Sequence, residues 1–180
     1  MVSHSCFPIF FLLFAAFFVT EVHSHYEFTN VKCECVNKDF CEIAHCYLKS
    51  VNRTYKYISA RAKLLRPPVT KMKLNFALYQ RLNGYKPFLY NITIDACKFF
   101  KSPTYNAVAN YFFSFIQEFT NLNHSCPFNH DLILDKMTAE SVFHRVTKIL
   151  SFPKGSYMFQ IHFLSNDIIR IIGQLYGTLS

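Results

Sequence analysis

The chain has 180 residues, 51% of them hydrophobic and 17% charged, with 21 phenylalanines, 11 tyrosines and no tryptophan. That apolar share excludes a disordered chain, and the length suits one domain built around one core. The formal net charge of +8 calls for an acidic partner or a solvated basic face, and by itself says nothing about fold.

Residues Phe7 to Val19 are apolar apart from Pro8, and Thr20, Glu21 and His23 follow. This is the pattern of a signal-peptide apolar core and its polar cleavage region. Val22 and Ser24 occupy the small-residue positions, so cleavage is expected between Ser24 and His25, making residues 1–24 the signal and 25–180 a single domain. No Lys or Arg precedes the apolar run. The alternative is an uncleaved anchor, but the run is shorter than the ~20 residues a membrane-spanning helix needs. The longest later apolar stretch, Ile168 to Leu179, is broken by Arg170, Gly173, Gln174 and Gly177. A soluble, secreted, extracellular protein is therefore expected.

Cys6 leaves with the signal. Cys33, Cys35, Cys41, Cys46, Cys97 and Cys126 remain, an even set that in an oxidising compartment forms disulfides whose pairing the spacing alone does not choose. Glycosylation sequons at Asn52-Arg53-Thr54, Asn91-Ile92-Thr93 and Asn123-His124-Ser125 agree with export.

Along the exported chain, Phe28 to Cys35 and Cys41 to Lys49 read as a first hairpin around Asn37-Lys38-Asp39. Tyr55 to Leu65 reads as another strand, ended by Pro67-Pro68. From Lys71, the residues Lys71, Lys73, Asn75 and Tyr79 alternate with Met72, Leu74, Phe76 and Leu78, a half-buried strand with a basic outer face. Asn83-Gly84 marks a turn. Phe88, Tyr90, Ile92 and Ile94 then alternate with Leu89, Asn91, Thr93 and Asp95, which places the sequon asparagine opposite the apolar face. Tyr105 to Thr120 repeats its apolar residues at helical spacing, with Val108, Ala109, Phe112, Ile116 and Phe119 on one side and Phe113 and Phe115 widening the stripe. Glu140 to Leu150 reads as a second, shorter helix. After a Pro153-Lys154-Gly155 turn, Tyr157, Phe159, Ile161 and Phe163 alternate with Met158, Gln160 and His162. Ile169, Ile171, Leu175 and Leu179 share one parity in the last segment. Antiparallel strands at short intervals, with one or two packed helices, make a mainly β, sandwich-type domain.

Six segments in order are more specific. They are Phe28-Thr29-Asn30-Val31-Lys32-Cys33; Cys46-Tyr47-Leu48-Lys49 with Asn52-Arg53-Thr54; Asn83-Gly84-Tyr85-Lys86-Pro87-Phe88-Leu89; Asp95-Ala96-Cys97-Lys98-Phe99; Asn121-Leu122-Asn123-His124-Ser125-Cys126-Pro127-Phe128; and Phe152-Pro153-Lys154-Gly155-Ser156-Tyr157. Together they resemble a domain-of-unknown-function family of insect secreted proteins that includes the chemosensory B (CheB) group, itself related to the ML superfamily of lipid-recognition domains. The resemblance runs from Phe28 to the C-terminus. It implies an antiparallel immunoglobulin-like β-sandwich whose sheets splay to hold a hydrophobic ligand, without catalytic residues. It also implies the pairing Cys33 with Cys46 and Cys97 with Cys126, leaving Cys35 with Cys41 as an extra bond. On this reading the bond between the first two strands staples their hairpin. The helix from Tyr105 departs from a minimal sandwich of this kind and could act as a lid.

Two other chemistries find little support in the residues. Cys33, Cys35, Cys41, His45 and Cys46 match no standard zinc spacing, and exported thiols oxidise. His124, Ser125 and Cys126, with Asp131 nearby, lack a nucleophile motif, and Ser125 belongs to a sequon. Neither enzyme activity, nor a metal, nor a cofactor is expected. The expected ligand-binding residues are Phe76, Tyr90, Ile92, Phe112, Ile116, Phe119, Phe159, Ile161 and Phe163, which face inward by parity; the alternative for each is that it fills the core. Between Glu42 and Asp95 there is no acidic residue, whereas ten Lys and Arg from Lys49 to Lys86 fall there. This stretch is expected to be a solvated face, or to meet a membrane receptor or anionic surface; nucleic acid is not an expected partner. The leading expectation is a carrier for a lipid or pheromone-like hydrophobic small molecule. The alternative is a protein–protein adaptor or receptor accessory subunit with a solid core.

Overall fold

The computed structural model describes residues 25–52, 55–143 and 152–180. The expected signal at 1–24, the sequon residues Arg53 and Thr54, and all but the start of the expected helix at Glu140 to Leu150 lie outside the described residues. Residues 139–143 are helical.

Eight strands are described: β1 (Tyr26–Cys35), β2 (Cys41–Ser50), β3 (Lys56–Leu64), β4 (Lys73–Leu82), β5 (Gly84–Asp95), β6 (Leu132–Thr138), β7 (Gly155–Ser165) and β8 (Ile168–Leu179). They form two antiparallel sheets, a five-stranded one in the order β1-β8-β7-β4-β5 and a three-stranded one in the order β2-β3-β6. The period-of-two segments supply β4, β5, β7 and β8, as the alternation requires. Asn83 and Gly84 close the β4–β5 hairpin, with Leu82 opposite Gly84 and Gly84 at φ 88°. The β7–β8 turn uses Asn166 and Asp167 at φ 53° and 62°, the left-handed pair that a tight hairpin favours.

The first hairpin is a correction. β1 pairs with β8 at the edge of the five-stranded sheet, whereas β2 pairs with β3 in the other sheet. The Asn37 loop therefore carries the chain across the sandwich. Two disulfides, Cys33–Cys46 and Cys35–Cys41, join β1 to β2 with Cα separations of 6.0 and 5.9 Å, so they staple one sheet to the other and not a hairpin. Packed sheets normally lie ~10 Å apart, and here the two layers are drawn together along this edge. Cys97–Cys126 ties the residues after β5 to the loop ahead of β6, at a Cα separation of 5.0 Å.

Because the second sheet has fewer strands, helices complete the cover. α1 (Ala96–Lys101) starts where the Asp95 carboxylate accepts from Lys98 N, a capping interaction the sequence reading missed. The long expected helix is shorter: a 3-10 turn at Pro103–Tyr105 precedes α2 (Ala107–Ile116). Asn106 is extended, and its side chain caps Ala109 N at 2.9 Å, which starts the helix afresh. Beyond Ile116 the chain leaves the helix to meet β6, with Asp135 N donating to Phe119 O at 2.7 Å and Thr120 bridging Leu134. Phe112 lies against Tyr90 of β5 and Phe159 of β7, with ring centroids 5.5 and 5.4 Å apart. Phe99, Phe100 and Phe113 pack edge to face beside them.

Two positions on β8 and β7 yield tests. Gly177 sits beneath the Tyr26 ring, and a Cβ there would overlap its hydroxyl and ring carbons. Gly177→Ala is expected to lower stability by about 1–3 kcal/mol, and Tyr26→Ala in the same chain to relieve that clash; an additive double mutant in chemical denaturation would refute it.

On the outer face of the five-stranded sheet, Tyr176 donates to Gln174 Oε1, Gln174 to Gln160 Oε1, and Gln160 Nε2 to His162 Nε2, at 2.9, 2.9 and 2.7 Å. The last contact requires an imidazole lone pair, so the chain ends on a neutral ring. Burial lowers the His162 pKa below the ordinary value of 6.5. The unfolded chain then takes up a proton that the native one refuses, so this contribution is complete above the ordinary pKa and is lost as pH falls below it. Between about pH 7.5 and about pH 5 the wild type is expected to lose more stability than His162→Gln. Parallel losses would contradict the assignment.

Candidate functional site

Between the sheets lies a cavity of about 160 Å³. β7 and β8 supply Phe159, Ile161, Phe163, Ile171, Gly173 and Leu175, and β1 adds Val31. The opposing sheet supplies Ile43, Ile58, Ala60, Ala62, Leu132, Leu134 and Met137, and Ile116, Thr120 and Leu122 close it from the helical side. The space follows from residue size. Ala60, Ala62 and Gly173 stand at inward positions where a sandwich ordinarily carries Val, Ile or Leu. Phe159, Ile161 and Phe163 point inward yet remain only half-buried, because the facing side chains stop short of them.

A second cavity of about 90 Å³ lies under α2, lined by Tyr26, Leu78, Phe112, Phe115, Val142, Phe152, Tyr157 and Leu179. Ile116, Met137, Phe159 and Leu175 line both spaces, so four flexible or rotatable side chains form the wall between them. Burial pushes the Tyr26 hydroxyl above the ordinary tyrosine range, and it stays protonated. Tyr111 on α2 is pushed up to about 12, by burial first and then by Tyr90; its hydroxyl is buried without a hydrogen-bond partner.

Of the expected ligand-facing residues, the structure brings Phe112, Ile116, Phe159, Ile161 and Phe163 to these cavity walls. Phe76 is buried in the core with Ile92 against it, Tyr90 supports Phe112, and Phe119 packs on the cluster of Phe28, Ile58, Met137 and Val142. The sequence reading missed the small residues Ala60 and Ala62, which leave room, Gly173, against which the Ile161 side chain lies, and the β6 residues Leu132, Leu134 and Met137. Alanine and glycine carry no periodic apolar signal, so nothing flagged them.

The other candidates resolve as geometry. His124 Nδ1 faces the Ser125 carbonyl at 2.7 Å, and its Nε2 faces His130 Nε2 at 2.6 Å. Asn121, whose Oδ1 accepts from Ile133 N, offers its Nδ2 to His130 Nδ1 at 2.9 Å. Both nitrogens of His124 are thus engaged by groups other than a hydroxyl, and Cys126 is in a disulfide. Among the described residues no group of three or more His, Cys, Asp and Glu side chains is placed to hold a metal ion. Asn52, Asn91 and Asn123 are all exposed, and Asn91 accepts from Asn75 Nδ2 at 2.8 Å on the face away from the cavity.

The acid-free basic stretch is partly answered from elsewhere in the chain. Lys56 pairs with Glu27, Arg61 with Asp131, Lys63 with Glu42 and Lys73 with Asp167. Lys56 holds the Glu27 carboxyl below its ordinary range. The positive surface is therefore patchier than the sequence implies. The three disulfides fit an extracellular protein, and no helix among the described residues is long and apolar enough to cross a membrane.

No curated protein matches the chain. Residues 74–159, from the start of β4 to the middle of β7, match the model of a family described as a protein of unknown function, DUF1091. The match takes in the β4–β5 pair, α1, α2 and β6, so the central part of the chain is similar to an uncharacterised family.

Proposed function

We propose that the protein is a secreted, non-catalytic carrier that holds a hydrophobic small molecule, a lipid or pheromone-like compound, between its two sheets. The observation that carries this reading is the cavity of about 160 Å³, walled almost wholly by aliphatic and aromatic side chains. An apolar cavity of roughly 150 Å³ in another protein stays dry and takes up benzene, so a space of this size admits part of an apolar ligand. Rotation of Ile116, Met137, Phe159 and Leu175, which separate it from the space of about 90 Å³, would lengthen the site toward an extended chain. α2 is the element best placed to act as a lid, since Ile116 contributes to both walls. The resemblance to the CheB group and the ML superfamily supports the same reading and adds a chemosensory setting. Basic residues left outside ion pairs would assist an anionic head group or surface.

The glycosylated protein, analysed by native mass spectrometry and then extracted with organic solvent, is expected to release about one apolar molecule per chain. Ala60→Leu, which places a branched side chain in the cavity, is expected to abolish that occupancy while keeping or raising the thermal midpoint. An apoprotein free of lipid, together with unchanged uptake of added fatty acid by Ala60→Leu, would contradict the proposal and favour an adaptor acting through its exposed faces.

A further inference from the structure

One end of the sandwich gathers the β1–β2 loop, the β3–β4 connection and the β7–β8 turn. A pocket of about 290 Å³ opens there, lined by Asp39, Phe40, Arg66, Lys71, Asn166 and Arg170 among others. Its three cations come from two segments, Arg66 and Lys71 from the β3–β4 connection and Arg170 from the start of β8. The guanidinium of Arg170 stacks over the Phe40 ring, with Cζ 4.9 Å from the centroid, and that stacking fixes the fork in place. Arg66 and Lys71 are exposed and flank Val69, whose N–H and carbonyl are held by Phe128 at 2.8 and 2.9 Å. The Cys35–Cys41 disulfide and the hydrogen bonds from Phe40 N and Cys41 N to Asn37 O brace the opposite wall.

Lys56, Arg61, Lys63 and Lys73 each have a carboxylate. Among the described residues, the side chains of Arg66, Lys71 and Arg170 have neither an ion pair nor a hydrogen bond, and Arg170 Nε is buried with no partner. A buried donor without an acceptor is costly and calls for one. Asp39 offsets part of the positive charge and leaves a surplus.

We propose that this pocket binds an oxyanion, a carboxylate or a phosphate group, with Arg170 as the fixed fork and Arg66 and Lys71 closing over it. Arg presents paired N–H donors that match such groups, and Lys adds a mobile charge. The site stands apart from the apolar cavity but not far from it. A void of about 10 Å³, lined by Phe40, Phe163, Arg170 and Ile171 with others, lies between, and Phe163 and Ile171 also line the larger cavity. Two sources carry the required chemistry: a free anion, or the head of an amphiphile whose tail enters between the sheets.

The test follows arginine Nε–H resonances of the intact protein during titration with inorganic phosphate and, separately, with dodecyl phosphate. Saturable shifts at Arg66 and Arg170 are expected. Arg66→Ser and Lys71→Ser should each weaken phosphate binding about tenfold. Lys49→Ser removes the same charge from an exposed position on β2 and should leave binding unchanged. Tighter binding of dodecyl phosphate, with the gain lost in Ala60→Leu, assigns the pocket to an amphiphile's head; equal binding of the two probes assigns it to a free anion and counts against the carrier reading. Absence of saturation with either probe, or equal weakening by Lys49→Ser, overturns the proposal.

Discussion

The structure turns on the crossing between β1 and β2. These strands are neighbours in sequence yet edges of opposite sheets, and two disulfides hold their Cα atoms about 6 Å apart. Covalent closure on one side fixes where the layers meet. One strand in from that edge, sheet packing near ~10 Å depends on side-chain bulk, and there β8 supplies Gly173 opposite Cys33 and β3 supplies Ala60 opposite Cys46, with Ala62 opposite Ile43. The result is a space beside the Cys33–Cys46 bridge, left open by small residues. The far side is covered by α1 and α2, with Phe112 of α2 lying on Tyr90 of β5 and Phe159 of β7.

Leaving such a space empty is unfavourable. At ~24 cal/mol per Å³ a void of this volume forfeits on the order of 4 kcal/mol. The disulfides that close loops of 13 and 6 residues contribute stabilisation of about 3 and about 2 kcal/mol in the chain-entropy description. The two effects are of the same size. The space between the sheets therefore costs about as much as the covalent links beside it contribute, which is the energetic reason to propose that something fills it.

Much of the fold was legible. Alternation gave β4, β5, β7 and β8, and Asn83-Gly84 gave their first turn, because a half-buried strand and a tight turn each leave a local signature. The sheet assignment of β1 and β2 was not legible, since a loop that crosses a sandwich and one that closes a hairpin use the same polar residues. β6 escaped because Asp135 and Lys136 interrupt its apolar run, with Lys136 at φ 49° where the pairing to β3 shifts register. Of the cavity, the large residues Phe159, Ile161 and Phe163 were readable from parity. The absences opposite them were not, since a missing side chain has no pattern. The charge pattern misled for a related reason: the acids that neutralise Lys56, Arg61, Lys63 and Lys73 come from distant segments.

A space between the sheets, built into the chain and accessible to an apolar molecule, is the centre of this account. Crystals of the protein pressurised with xenon test it most directly, because xenon enters dry apolar cavities without chemical preference. A xenon peak bounded by Ile58, Met137, Phe159 and Leu175 is expected. Sheets found in contact there, with side chains filling the gap and no xenon between them, would contradict it.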